Sequence, residues 1–115
     1  MEDMTKESKE KIEQLQLLEQ NLNAIVGQKQ QFQSQILESE SAISELEGVG
    51  KAYKIIGNIM VESPRDILIK DLTSKKEIHE LRLKALDKQE QNIRAKAAEL
   101  QKEILSNMDD KNANK

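Results

Sequence analysis

Ala52-Tyr53-Lys54-Ile55-Ile56-Gly57-Asn58-Ile59-Met60-Val61 is the stretch of this chain where a helical rhythm breaks off. β-Branched residues crowd around Gly57-Asn58, a pair suited to the positive φ angles of a two-residue hairpin turn. Folded about that pair, Ile56 faces Ile59, Ile55 faces Met60, Lys54 faces Val61 and Tyr53 faces Glu62. Ile56, Ile59 and Val61 then share one face of the hairpin, and Tyr53, Ile55 and Met60 share the other. One partly apolar face has helices of the same chain to rest on; the other has nothing to cover it. A lone two-stranded hairpin is marginal in water, and its open edges invite more strands. The expectation is association of several hairpins into a shared sheet or barrel, against the alternative of a small cap on a monomer. The candidate oligomerisation residues are Tyr53, Ile55, Ile56, Gly57, Asn58, Ile59, Met60 and Val61.

On either side of this segment the apolar residues recur at steps of three and four. Upstream they are Leu15, Leu18, Leu22, Ile25, Phe32, Ile36, Ile43 and Leu46; downstream they are Ile69, Leu72, Leu83, Leu86, Ile93, Ala97, Leu100 and Ile104. The residue numbers of facing positions have a constant sum, as in Leu46 with Ile69, Phe32 with Leu83 and Leu15 with Leu100. Two antiparallel helices joined at one end require that. The predicted fold is mainly α, a long antiparallel two-helix coiled coil joined by one central β-hairpin. Its parts are a first helix over 5–47, the hairpin over 51–62, a second helix over 64–107 and a disordered tail over 108–115. Gly48 and Gly50 end the first helix. Ser63-Pro64-Arg65-Asp66 opens the second, with Ser63 as cap, Pro64 in the first turn and Asp66 completing a capping-box variant.

Composition supports long helices over a compact core. Charged residues make up 34% of the chain and aromatics 2%, with four Gly and one Pro. Eight Glu stand against four Lys in residues 5–47, whereas ten Lys and Arg stand against eight acids in residues 64–105. The two arms are mildly complementary. Exposed pairs contribute only about 0–1 kcal/mol each, so register rests on the apolar seam. Polar residues interrupt that seam at Lys29, Ser39, His79 and Glu90, where they set register at some cost in stability.

Chemistry-bearing patterns are lacking. No cysteine is present, and His79 is the only histidine, so no metal cluster or His-based triad can be assembled. No Gly-rich phosphate loop occurs, and the acidic pairs read as solvated surface charge. The expectation is no enzyme, no catalytic residue, no cofactor and no metal. No apolar run is long enough to span a bilayer, and Met1-Glu2-Asp3-Met4 is unlike a secretory signal, so a cytoplasmic protein without membrane partners is expected.

The stretch Ala52–Val61 resembles the hairpin signature of β-type prefoldin subunits. Lys75-Lys76-Glu77-Ile78-His79-Glu80-Leu81-Arg82-Leu83 and Leu86-Asp87-Lys88-Gln89-Glu90 resemble that family's second helix, and the likeness covers about residues 8–106. A single central hairpin is the β-type plan. The Pro in Ser63-Pro64-Arg65-Asp66 departs from the usual pattern. What the resemblance implies is a hexamer of two α and four β subunits whose hairpins form a β-barrel body. Its coiled-coil tips would hold unfolded client proteins without ATP and deliver them to a chaperonin. Partners would then be an α-type prefoldin subunit, further copies of this chain, clients and a chaperonin.

Under that resemblance the client site is the open end of the helix pair: Ile12, Leu15, Leu17 and Leu18 with Leu100, Ile104, Leu105 and Met108. Most are seam residues. Leu17 and Leu105 sit just off the seam and are expected to be at least partly exposed, and Met108 suits an adaptable contact. Two other readings compete. One is a structural tether whose hairpin docks a partner. The other is an RNA-binding arm using Lys75, Lys76, Arg82, Lys84, Lys88, Arg94 and Lys96. The net charge of −3 and the lack of stacking aromatics on that helix count against nucleic acid as a partner.

Overall fold

The computed structural model describes residues 6–113, with side chains described to Met108. The order is α1 (Lys6–Glu47), β1 (Ala52–Ile56), β2 (Ile59–Ser63) and α2 (Arg65–Ala113). Thr5 and the first four residues, read above as helix start and non-signal, lie outside the described residues, as do Asn114 and Lys115 of the expected tail.

Each boundary has a local cause. At the end of α1, Gly48 and Val49 N–H groups donate to the Glu45 and Leu46 carbonyls at 3.3 and 3.4 Å, tightening the last turn. The strands pair antiparallel in the register read from the sequence, with Ile56 opposite Ile59, Ile55 opposite Met60, Lys54 opposite Val61 and Tyr53 opposite Glu62, and with Ala52 opposite Ser63. Gly57 has φ of 60° and no other described residue has positive φ. The turn is therefore of the kind that needs left-handed backbone only at its first central residue, so Asn58 does not share Gly57's conformation.

The start of α2 differs from the sequence reading. Ser63 belongs to β2 and is not the cap. The Pro64 carbonyl accepts the first helical bond, from the Leu68 N–H at 3.2 Å, so Pro64 holds the cap position and Arg65 begins the helix. The Arg65 guanidinium donates to the Val49 carbonyl at 3.2 Å, joining the start of α2 to the loop that precedes β1. At the other end α2 runs on to Ala113, past the expected stop at 107. Between Arg65 and Ala113 there is no Gly or Pro to stop it, and polar composition alone does not end a helix.

The chain divides into two compact units. One comprises Lys29–Ala85 and holds the hairpin with the helix segments next to it; the other comprises the described residues up to Gln28 and from Leu86 onward. In the hairpin unit, Lys76 Nζ lies 3.3 Å from Glu40 Oε1 across the helix pair and 3.9 Å from Glu80 Oε1. Ser39 is buried, in the register that sets it against Lys76. The Phe32 and His79 rings stack tilted at 5.6 Å, and the Arg82 guanidinium sits 5.9 Å from the Phe32 ring centre. His79 is thus a seam residue. Thr73 Oγ1 donates to the Ile69 carbonyl at 2.7 Å within α2. In the other unit, Ile25, Leu86 and Ile104 are buried.

Candidate functional site

Two groups of residues carry functional expectations, one in each unit. In the hairpin, strand alternation distributes apolar side chains to both faces, and neither face is closed. Tyr53, Ile55, Ile56, Ile59, Met60 and Val61 are all exposed, Ile55 most of all at 70%. Only Ala52 is buried among the strand residues. Tyr53 and Ile55 overhang a groove of about 750 Å³ whose helical wall includes Ala42, Leu46, Leu68 and Leu72. The hairpin does not close over these helices, because a closed cap would bury those two side chains and they stay more than half exposed.

At the helix ends the structure sorts the eight predicted residues into three settings. Leu15, Leu18, Leu100 and Ile104 lie in the seam; the first three are half-buried and Ile104 is 8% exposed. Leu17 is 57% exposed and borders a groove of about 390 Å³ together with Gln14, Leu18, Lys96, Glu99, Leu100 and Glu103. Leu105, 61% exposed, Met108 and the half-buried Ile12 do not line that groove. By heptad position they fall on the opposite flank of the helix pair. The predicted set is thus not one patch: Leu17, Leu18 and Leu100 come together, and Leu105 with Met108 points elsewhere.

The sequence reading missed the polar frame of this groove. Lys11 stands at a seam position, opposite Ile104 in the constant-sum register, and its ammonium lies 3.3 Å from Glu103 Oε2 on α2 and 3.4 Å from Glu7 Oε1 on α1. Partial burial alone would lower the Lys11 pKa, but the Glu103 and Glu7 carboxylates outweigh it, and the net shift is upward from 10.5. Ser8, one turn earlier, is buried. A Lys among the seam positions was the available signal. The groove's rim falls on the positions flanking the seam, which an apolar pattern does not mark. Among the described residues no group of three or more His, Cys, Asp or Glu side chains is placed to hold a metal, and no helix is long and apolar enough to cross a membrane.

Known proteins place this architecture. Residues 9–110 match the family model described as prefoldin subunit. The chain is 38% identical over 96 residues to prefoldin subunit beta of Archaeoglobus fulgidus, covering 81% of this chain and 83% of that one. It is 34% identical over 94 residues to prefoldin subunit beta of Pyrococcus abyssi, covering 79% and 80%. The crystal structure of the prefoldin beta subunit from Thermococcus strain KS-1 superposes with a TM-score of 0.86 at 31% identity, covering 92% of this chain and 96% of that chain. Two long helices, one hairpin between them and a match over nearly the whole length lead to one conclusion: this chain belongs to the prefoldin subunit family of chaperones.

Proposed function

We propose that the chain is a subunit of an ATP-independent holdase in the cytoplasm. Hairpins from four copies and from two α-type partner subunits form a shared β-barrel body. The paired helix ends hold unfolded proteins and pass them to a chaperonin. Holding needs no bond-making, so no residue is assigned a catalytic role and no cofactor is invoked. Each helix end binds weakly, and several on one body retain a client by effective concentration.

The observation that carries this reading is the exposed, groove-bordering Leu17 with Leu105 at the ends of a helix pair whose seam still closes at Ile104. The family membership supports it, and the open hairpin faces support the assembly. The test is light scattering of a denatured protein diluted into the chain plus an α-type partner, without nucleotide. The assembly should suppress aggregation. Removing residues 1–18 together with 100–115 should abolish suppression while native mass spectrometry shows the assembly intact. Equal protection by the trimmed assembly would show that the helix ends are not the client site. The hairpin's exposed residues also suit a tether that docks a partner. Deleting residues 52–61 separates the two: a holdase body loses its oligomer, whereas a tether assembled through its helices keeps it.

A further inference from the structure

The groove at the helix ends restricts the conformation of what it holds. Both walls are α-helical, so their backbone N–H and C=O groups are bonded within the helices and offer no edge to a strand. An extended segment pressed onto Leu17, Leu18 and Leu100 would leave backbone polar groups facing an apolar floor, which is costly without partners. A helical segment satisfies its own backbone bonds before it arrives. It also lays down an unbroken apolar stripe at i, i+3, i+4 and i+7.

Charge sharpens the choice. Glu103 is held by Lys11 at 3.3 Å. Lys96 and Glu99, three residues apart on α2, line the groove and have no ion pair among the described residues. The rim therefore offers a cation and an anion to an occupant bearing charges of both signs beside its apolar stripe. An amphipathic helix meets that requirement.

We propose that this groove takes client segments as amphipathic helices, laid along the helix pair as a third helix, and not as extended strands. The inference rests on the holdase reading above and specifies its substrate class. The test uses the full chain and two fluorescent peptides of identical Leu, Ala, Glu, Lys and Gln composition. One has its leucines at helical spacing, the other at alternating positions. Anisotropy should show the helical-pattern peptide binding at least roughly tenfold more tightly, and circular dichroism should show it gaining helix on binding. Leu17→Asp should weaken it by a similar factor, whereas Leu105→Asp, on the other flank, should change it by less than about twofold. Circular dichroism of both variants checks that their helices persist.

Equal or tighter binding of the alternating peptide, binding of neither, or equal losses in the two variants would overturn the proposal. So would self-association of the chain that Leu17→Asp abolishes, since the occupant would then be a second copy. Failure of the holdase reading appears separately, as undiminished protection by the trimmed assembly.

Discussion

The hairpin and the helix ends both expose aliphatic side chains, but they ask different things of a partner. In the hairpin, Ile55, Ile56, Ile59 and Met60 stand exposed on two faces of strands whose outer edges keep unpaired backbone groups. A partner there has to supply strands as well as apolar surface, so position, register and direction are all specified. Along the groove near the helix ends, the backbone groups of both walls are already bonded within the helices. Leu17 and Leu105 offer apolar area alone, and charge frames the groove beside Leu17. Such a surface sets no strand register or direction on an occupant. Under the proposed function, an assembly contact and a holding contact would thus differ by whether backbone hydrogen bonds remain to be made.

The largest effect expected from this contrast is on assembly. Ile56→Asp with Ile59→Asp, which face each other across the hairpin, places two like charges where apolar area is to be buried. Native mass spectrometry with an α-type partner should show subunits in place of the oligomer, with helix content kept. An intact oligomer would mean that the hairpin face is not the contact.

At the helix ends a comparable truncation acts locally. Ile104→Ala removes a buried seam side chain and should lower the opening free energy of the nearby helix by about 2–3 kcal/mol, the low end for such cavities. Hydrogen exchange of residues 98–106 reads this directly. Unchanged protection would show that the seam does not close the end.

The turn should be less sensitive. Gly57→Ala puts a Cβ into open space but at φ of 60°, a left-handed conformation that costs an L-residue about 1–2 kcal/mol. Thermal melts should show a loss of that order, while Gly50→Ala, which has open space and no positive φ, should be close to neutral. Equal effects would mean that strain at the turn is not what selects Gly57.

The smallest effect concerns Lys11. Its folded pKa is raised above 10.5 by Glu103 and Glu7, so the stability it contributes is complete below that value and is lost as pH rises through the folded pKa. Melting curves from neutral to strongly alkaline pH should fall more for the native chain than for Lys11→Met, and high salt should narrow the difference. Parallel curves would show that the ion pairs do not hold the end together.

Most of the fold was legible because it is written in two periods. Steps of three and four mark the seam, and alternation around Gly57-Asn58 marks the hairpin with its register residue by residue. The misreadings occurred where no period operates. Ser63 looked like a cap by residue type, yet the strand keeps it and the Pro64 carbonyl takes the first helical bond. The polar end of α2 looked like a tail, yet no residue in it stops a helix. The candidate site was only partly legible. Exposure of Leu17 and Leu105 follows from their distance off the seam, and their heptad positions already put them on different flanks; the pairing of Lys11 with Glu103 beside Leu17 was not written in the apolar pattern.

By itself the sequence determined that two helices pair antiparallel about one hairpin, because only one register brings the apolar residues of both arms to a common seam. Tertiary structure decided which carboxylates Lys11, at its seam position, pairs with: Glu7 on α1 and Glu103 on α2. It also decided that Leu17, Leu18 and Leu100 share one groove with Lys96 and Glu99. The physical reason is that a periodic pattern specifies which face of a helix is buried, whereas a groove is built from two flanks whose neighbours are set only when the helices meet.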